Sequence, residues 1–592
     1  MSHLSSDIAA RIIELSEGFD ETTPLQMVAS IAQRIERLVR RPQLRFQGLD
    51  VDPFTSEDWR LRTPEVTNAI RDLEAIASVL RFQIDQAAPL RRLLVPHVRR
   101  LWHNIVLWIE FLHPVHHFGT ERMAHVPVSV LASALYGLFT LKSALVDLLD
   151  QTPQIYRALF DLWLHVDVYC ELPLALVHAK YLHMLFLTVE RALLRHDILS
   201  KVHGDGPLVP EDVDMIARDM ALSVVGHHPR RFYRRFVHLV ELFVTPIEPY
   251  VMISMDSELM LVRVAMSQLS LLAMVSNLFI PASSQRRDVV RALVRVLRGL
   301  LDRPVDALEA EEAACMVLWG MWKCAGDRRL LVWALRDGVL ELISAVHNKR
   351  PSDTTNSMLN YIADQAMHVQ VLRVLGPGGQ VVPFGGPAVE TSMRERTEVM
   401  RSLYPKVCAC SKCPRRSAQD RYGLRRCACV TTCYCSSECQ LHDWSSHRPR
   451  CQSIRMTMVE ALRYLPSSEI SPLDVRFHIL YARFLVRMNF AKLELVEIPR
   501  SEGWQLCNYC LGIDLRQMPP QPSLRHSEVR YIVTAFVPAL RHTAKPYGVK
   551  VLDVPLSLML DGYMPVGDGW VGPGGDWRSD CEEESVNKVD TQ

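Results

Sequence analysis

Cysteine and histidine residues fall in pairs near the middle of the second half of the chain, and these are the residue types that bind soft metal ions. The pairs are Cys410 with Cys413, Cys427 with Cys429, Cys435 with Cys439, and His447 with Cys451. Structural zinc takes four ligands in tetrahedral geometry and prefers thiolate and imidazole. Eight ligands therefore predict two Zn²⁺ ions, which would stabilise a segment too short to build an adequate core of its own.

The order of these pairs, the run YCSSECQ, the DW that follows and the final H-x3-C resemble the MYND zinc finger, over about residues 408–451 only. The resemblance implies a small cross-braced finger with two zinc ions. In such a finger one ion would be held by Cys410, Cys413, Cys435 and Cys439, and the other by Cys427, Cys429, His447 and Cys451.

The same resemblance implies a peptide groove lined by Gln440 and Trp444, since the matching residues of MYND fingers bind proline-containing peptides. Residues four apart share one face of a helix, where an indole offers an apolar platform for a proline ring and an amide can bond an extended backbone. The alternative interpretation is that Trp444 packs against the small core of the finger itself.

The ligand spacing departs from the family pattern and leaves two assignments open. The third and fourth ligands are spaced C-x-C where the family usually has C-x2-C, so the spare Cys433 is an alternative to Cys429. At the first knuckle, Cys408 is an alternative to Cys410. The spacer before the third ligand is longer than usual and predicts a basic surface loop, with Arg415, Arg416, Arg421, Arg425 and Arg426.

Residues 1–373 precede the finger and predict a large helical domain, because apolar residues recur at intervals of three and four and strand signals are scarce. Thr23-Pro24 and Thr63-Pro64 are typical helix starts. Helices joined by short turns weakly resemble an armadillo-type solenoid, and a non-repeating bundle is the alternative. A stripe of Arg287, Arg291, Arg295 and Arg298 predicts a solvated helix face.

Two apolar runs in this domain raise the question of a membrane span. Residues 264–284 carry no charge and are long enough to cross a bilayer, but their serines, Gln268 and Asn277 favour a buried helix. Residues 126–141 are too short to cross and predict core. We therefore expect no membrane association.

The rest of the chain divides into four further segments. Gly and Pro residues predict a linker at 374–390, which would leave the finger with its helical lead-in, 391–453, as a separate module. A small α+β domain is expected at 454–560, where Ser471-Pro472 begins a helix and β-rich runs follow. Residues 561–592 predict a disordered acidic tail. The fold class expected for the whole chain is mainly α.

Composition narrows the class of protein. The 592 residues carry a net charge of only +1, which argues against a generally basic nucleic-acid binder. Fifteen cysteines without an apolar leader predict a reducing compartment, hence an intracellular protein of the cytoplasm or nucleus. Cys507 and Cys510 form half a metal site, and their spacing more often belongs to two ordinary cysteines in a strand.

These features favour an adaptor, not an enzyme: its finger would capture short proline-containing motifs of partner proteins. No phosphate loop, nucleophile elbow or HExxH is present, and four-ligand zinc sites leave no open position for a reacting water. The alternative is a divergent MYND-associated lysine methyltransferase, although the Asn-His-x-Cys motif of that family is missing. A nucleic-acid binder using the finger's arginines is a third hypothesis, and a small-molecule substrate is not expected.

Overall fold

A computed structural model describes most of the chain. The described residues are 2–17, 25–41, 44–55, 63–80, 88–117, 125–169, 179–195, 212–244, 255–278, 287–303, 306–325, 328–375, 387–403, 407–413, 424–463, 471–489, 509–514, 521–526, 533–537, 547–552, 564–566 and 569–571. The chain forms two compact units, Met1–Ala325 and Gly326–Gln592.

The described part of the first unit is mainly helical, and an isolated antiparallel bridge pairs Leu194 with Val213. Its helices are α1 (Ser2–Glu17), α2 (Leu25–Val39), α3 (Pro64–Leu80), α4 (Ala88–Phe111), α5 (His125–Thr140), α6 (Lys142–Gln151), α7 (Gln154–Leu164), α8 (Val166–Tyr169), α9 (Ala179–Leu193), α10 (Met215–Val224), α11 (Pro229–Val244), α12 (Met255–Leu278), α13 (Arg287–Leu301) and α14 (Leu308–Cys324). Three 3-10 turns accompany them, at Gln47–Leu49, Pro53–Thr55 and Pro114–His116.

The packing of this unit follows the apolar faces of its helices. On α13 the predicted inner face is buried, with Val289, Leu293, Val296, Leu297 and Leu300, and the arginine stripe is exposed as expected. Helices α11 and α13 pack together, α12 packs against α14, and α5 contacts both α3 and α9. Burial of these faces supplies the main stabilisation of a helical unit.

Residues 264–278 of the first apolar run and 126–140 of the second lie in helices of this unit, and residues 279–284 lie outside the described residues. Among the described residues, the segment Glu258–Ser276 of α12 is long and apolar enough to span a membrane, and 61% of that window is buried inside the protein. The other run lies in α5, which meets α6 at a bend of 110°. Burial to this extent agrees with the interpretation of α12 as a core helix.

The second unit contains helices and short sheets. Its helices are α15 (Arg329–Arg336), α16 (Val339–Lys349), α17 (Asp353–Gln365), α18 (Val369–Leu375), α19 (Pro387–Ser402), α20 (Ser437–Arg463) and α21 (Pro472–Asn489). Its strands are β1 (Arg425–Arg426), β2 (Cys433–Tyr434), β3 (Tyr509–Asp514), β4 (Gln521–His526), β5 (Val533–Val537), β6 (Tyr547–Leu552), β7 (Met564–Val566) and β8 (Gly569–Val571).

The C-terminal strands form two sheets. One has the order β4-β3-β5-β6, in which β3 and β5 are parallel and the other neighbours are antiparallel, and α21 contacts β5 and β6. The other is the antiparallel pair of β7 and β8. That pair falls within the segment 561–592 for which the sequence predicts disorder, and the rest of that segment lies outside the described residues.

Gly338 separates α15 from α16, and its φ of 86° is left-handed and suits glycine. The division between the units falls after Ala325, whereas the predicted domain boundary is at 373. Helices α15 to α18 pack with one another, and α18 also contacts α19 and α21, so these helices belong with the segments that flank the finger.

The structure describes both ends of the predicted linker and the predicted helix start that follows the finger. Of the segment 374–390, residues 376–386 lie outside the described residues, while α18 and α19 extend into its two ends. The predicted helix start at Ser471-Pro472 is present. Asp474 N donates to Ser471 Oγ at 3.2 Å, and Ser471 N donates to Asp474 Oδ2 at 2.9 Å, which is a reciprocal capping arrangement.

Candidate metal centre

The metal ligands are positioned by a two-stranded ribbon and the helix that follows it. Strands β1 and β2 pair antiparallel, with Arg426 opposite Cys433. Ser436 then caps α20, because its Oγ accepts the N–H of Cys439 at 3.2 Å. The helix carries His447 and Cys451 four residues apart, so both side chains lie on one face. The ribbon and the helix together bring ligands that are distant in sequence into two groups.

The first group consists of four cysteines, Cys408, Cys413, Cys435 and Cys439, whose sulfur atoms all lie within 4.8 Å of one another. The sulfur of Cys435 is 3.5 Å from that of Cys413 and 3.5 Å from that of Cys439. The Cys435 N–H points to the Cys408 sulfur at 3.5 Å. Ligands from before and after the ribbon thus meet at one point, which can hold a metal ion.

The second group consists of Cys427, Cys429, His447 and Cys451, all buried, with ligand atoms within 4.8 Å of one another. His447 Nε2 lies 3.3 Å from the Cys427 sulfur and 3.5 Å from the Cys429 sulfur. The sulfurs of Cys427 and Cys451 are 3.6 Å apart. Along the chain the two groups interleave, so the second pair of the first group lies between the two halves of the second.

The spacings fit a tetrahedral ion. Metal–sulfur bonds of about 2.3 Å at the tetrahedral angle place two sulfurs roughly 3.8 Å apart, and a sulfur and a nitrogen roughly 3.5 Å apart. The sulfur pairs stand at 3.5–3.6 Å and the sulfur–nitrogen pairs at 3.3–3.5 Å. Both donor sets, four sulfurs in one and three sulfurs with a nitrogen in the other, therefore suit a soft divalent cation.

Electrostatics also favour a cation in both groups. The neighbouring Cys413 and Cys439 raise the pKa of the Cys435 thiol to about 12, and burial together with Cys427 raises the pKa of Cys451 to about 11. Crowded thiols resist joint ionisation because each negative charge opposes the next. A divalent cation removes that opposition and holds all the ligands as thiolates.

The turn that follows Cys429 lowers the pKa of this thiol, which belongs to the second group. Burial opposes the charge of Cys429, but hydrogen bonds from Thr431 and Thr432 outweigh burial and lower the pKa of this thiol to about 6. Val430, which follows Cys429 and precedes both threonines, has a φ of 54°, which is unusual for a β-branched residue. The tight turn directs both threonine hydroxyls towards the Cys429 sulfur, at 3.1 and 3.3 Å.

Seven of the eight predicted ligands lie in the two groups, and Cys408 occupies the position in the first group that the resemblance implies for Cys410. The N–H of Ala409 donates to the Cys433 carbonyl at 2.9 Å, which places Cys408 beside β2 and next to Cys435. Cys410 is buried in the same cluster but lies outside the group of four. Cys433, the alternative to Cys429, belongs to neither group.

A hydrogen bond that sequence reasoning missed links the ribbon to the helix. The hydroxyl of the buried Tyr434 donates to Asp443 Oδ2 at 2.6 Å, and its ring meets the His447 ring edge-on with centroids 6.0 Å apart. Burial, followed by the bond to Asp443, raises the pKa of Tyr434. Sequence spacing provides no signal for this pair, because the two residues lie on different elements.

The two predicted peptide-binding residues lie on the first turns of α20. Trp444 is 37% exposed, with its ring tilted against that of His447 at 6.2 Å. Gln440 is half-buried, and its Nε2 is 4.0 Å from the Cys427 sulfur. Leu441, three residues before Trp444, is 76% exposed. An apolar residue among the polar residues of this helix is the sequence feature that could have indicated Leu441 as part of a binding surface.

Other predicted features of this region are only partly described. Arg415, Arg416 and Arg421 of the basic loop lie outside the described residues. Arg425 is exposed on β1, and the next arginine, Arg426, donates to the Leu403 carbonyl at 3.4 Å. For the half-site in the C-terminal region, Cys510 lies on β3, and Cys507 lies outside the described residues.

Comparison with known proteins adds no relative: no protein-family model, no curated protein and no solved structure matches this chain.

Proposed function

We propose that residues 408–451 form a two-zinc finger of the MYND type, and that the protein is an intracellular adaptor whose finger captures short proline-containing segments of partner proteins. The observation that carries the proposal is the pair of interleaved ligand groups, each of four soft donors and each with ligands on the helix that also exposes Leu441 and Trp444. The ring of Trp444 lies against that of His447, a member of the second group. Thiolate-rich tetrahedral sites select zinc over harder divalent ions.

The zinc ions would act structurally. Four protein ligands close each site, so no coordination position is left for a substrate or a reacting water. Cys439 and His447 belong to different groups and both lie on α20, so the two ions would fix the first turns of this helix against the ribbon. A helix held at two points would lose less conformational entropy when a partner binds its outer face.

The outer face of α20 has the character of a small peptide-binding surface. Leu441 and Trp444 are three residues apart and lie on the same side of the helix, which brings an aliphatic and an aromatic side chain together in solvent. Proline rings stack on exposed indoles in several peptide-binding domains. The Nε2 of Gln440 faces the Cys427 sulfur, so we infer that its amide oxygen would accept the peptide's N–H.

The first unit would supply the scaffold of the adaptor. Its neighbouring helices pack pairwise along the chain, α11 with α12 and α13, and α13 with α14. This local stacking supports an armadillo-like arrangement, in which each helix mainly contacts its neighbours and the grooves between helices are open to partners.

The test is a binding titration of the zinc-loaded, full-length protein against an array of short fluorescent peptides that contain one or two prolines. Trp444→Ala should weaken binding of the tightest peptide by about 2 kcal/mol, the usual effect of truncating an aromatic anchor. The variant protein should retain both metal ions. Met456→Ala is the matched control, since Met456 is a 70% exposed apolar residue farther along the same helix. Release of zinc by Trp444→Ala would instead show that the indole supports the finger's core, and equal effects of both variants would also defeat the proposal.

A further inference from the structure

An open groove of about 700 Å³ lies in the first unit, remote in sequence from the metal centre. Its walls are α11 and α13, and one end is closed by the turn between α10 and α11. A volume of this size is typical of sites for small ligands and for short peptide segments. The metal centre uses none of these residues.

The groove is built on a rigid base. The inner side of α11 inserts Phe232 and Phe236 against the buried Trp163 of α7, with ring centroids 5.9 and 4.8 Å apart. The turn before α11 is a Schellman motif, in which His227 N donates to Leu222 O at 2.7 Å and Gly226 has a φ of 67°. The outer face of α11 is thereby held in a defined position.

Ion pairs across the groove fix its arginines. Asp288 on α13 accepts Arg234 at 2.5 Å and Arg230 at 3.2 Å, both from α11. In the opposite sense, Arg295 on α13 donates to Glu241 on α11 at 2.5 Å. Such pairs at a surface add little stability, but they order the guanidinium groups along both walls before any ligand binds.

The groove keeps an excess of positive charge. Asp288 and Glu241 are the two carboxylates among its described lining residues, and they face four arginines: Arg231, Arg234, Arg235 and Arg295. Arg235 has its own partner, Asp167, outside the lining. Arg231 is exposed and has no carboxylate partner within the part of the chain that the structure describes. It is therefore the cation available to an incoming anion.

The floor of the groove is aliphatic. Val225, Val237 and Val289 are buried beneath the arginines, and no Phe, Tyr or Trp is among the described lining residues. A continuous phosphate backbone fits this surface poorly, because its charge would meet Asp288 and Glu241 and its bases would find no aromatic platform. A segment with an aliphatic side chain flanked by separate carboxylates complements both the floor and the rim.

We propose that the groove between α11 and α13 binds an acidic peptide segment of a partner protein, with an aliphatic residue on the valine floor and carboxylates on Arg231 and its neighbours. This second binding surface is independent of the finger. It would give the protein two docking sites of different chemistry, one for proline-containing and one for acidic segments.

In the experiment, peptides that bind are selected from a displayed library of random twelve-residue peptides, separately on the full-length protein and on two variants of it. Arg231→Glu reverses the available charge in the groove. Arg92→Glu reverses another exposed arginine, on α4 and outside the groove, and is the matched control. Some peptides should be selected by wild type and by Arg92→Glu but not by Arg231→Glu. These peptides should be rich in Asp and Glu around an aliphatic residue. The affinity of the best of them should fall at least about tenfold with Arg231→Glu, and weaken as salt is raised.

Two further measurements distinguish this groove from the finger and from a nucleic-acid site. The selected acidic peptides should bind Trp444→Ala as well as wild type, since the finger is not involved. A single-stranded oligothymidylate, titrated in parallel, should show no binding that depends on Arg231. The proposal is overturned if no acidic peptides are enriched, if they bind Arg231→Glu equally well, or if the oligothymidylate alone depends on that arginine.

Discussion

Asp474 accepts a hydrogen bond from the backbone N–H of Val369 at 2.7 Å, although the finger lies between these two residues in the sequence. The bond ties α21, which follows the finger, to α18, which precedes it. A second bond supports the first: His478 Nε2 lies 2.8 Å from the Met367 carbonyl oxygen. The helices on either side of the finger are thus joined, and the finger is not attached by the glycine-rich segment alone.

The carboxyl of Asp474 stays ionised in this buried place. Burial by itself opposes its charge, but the adjacent His368 ring and the Ser471 hydroxyl outweigh burial and hold the pKa of Asp474 well below its usual range. Burial also lowers the pKa of His368 to about 4, so that its ring is neutral at pH 7. A charged acceptor makes the bond to Val369 stronger than a neutral one would.

We expect Asp474→Ala to loosen the contact between α18 and α21. The N–H of Val369 would lose its buried acceptor, which typically costs about 1–3 kcal/mol, and hydrogen exchange in residues 366–375 should accelerate about tenfold or more. Asp474→Asn is the control, because its amide oxygen can still accept the N–H, and it should show a smaller effect. Unchanged exchange in the alanine variant would contradict the assigned role.

The choice of first-knuckle ligand is tested by a matched pair of variants. Cys408→Ser should reduce the zinc content of the protein from two equivalents to one, because it removes a sulfur from the group of four. Cys410→Ser should retain two equivalents, since its sulfur lies outside that group. Elemental analysis after dialysis against a weak chelator measures both. The reverse result, with zinc lost only in Cys410→Ser, would favour the ligand that the MYND resemblance implies.

A buried carboxyl in the first unit should make stability depend on pH. Asp72 Oδ2 accepts the Gly48 N–H at 2.8 Å, and burial raises the pKa of Asp72 from 3.8 to about 7. The folded protein therefore keeps this proton up to about pH 7, whereas the unfolded chain releases it near pH 4. The contribution to stability is fully present below the unfolded pKa and is lost as pH rises through 7, by up to about 4 kcal/mol.

The measurement compares thermal unfolding of wild type and Asp72→Asn from pH 5 to 8. Wild type should lose stability relative to the variant as pH rises, because asparagine carries no titrating proton at this site. Glu65→Gln, at an exposed position of α3, should follow the wild-type pH dependence. Parallel curves for wild type and Asp72→Asn would show that Asp72 titrates normally.

Much of the local structure could be predicted because it depends on residues a few positions apart. The three-and-four spacing of Val289, Leu293 and Leu300 places them on one face of a helix, and that face is buried. The capping of α21 by Ser471 follows from the same kind of short-range chemistry. The pairing of cysteines likewise indicated two soft metal groups, since a knuckle is formed by neighbours in sequence.

The helical faces, the helix starts and the donor types of both metal groups therefore followed from the sequence alone. The place of Cys408 in the first group required the folded chain, because it depends on the hydrogen bond between Ala409 and Cys433, which are far apart in the sequence. The same is true of the buried pair of Lys142 and Asp214, with 2.6 Å between Nζ and Oδ2. These contacts join partners far apart along the chain, whose meeting depends on how whole helices pack and not on any local pattern.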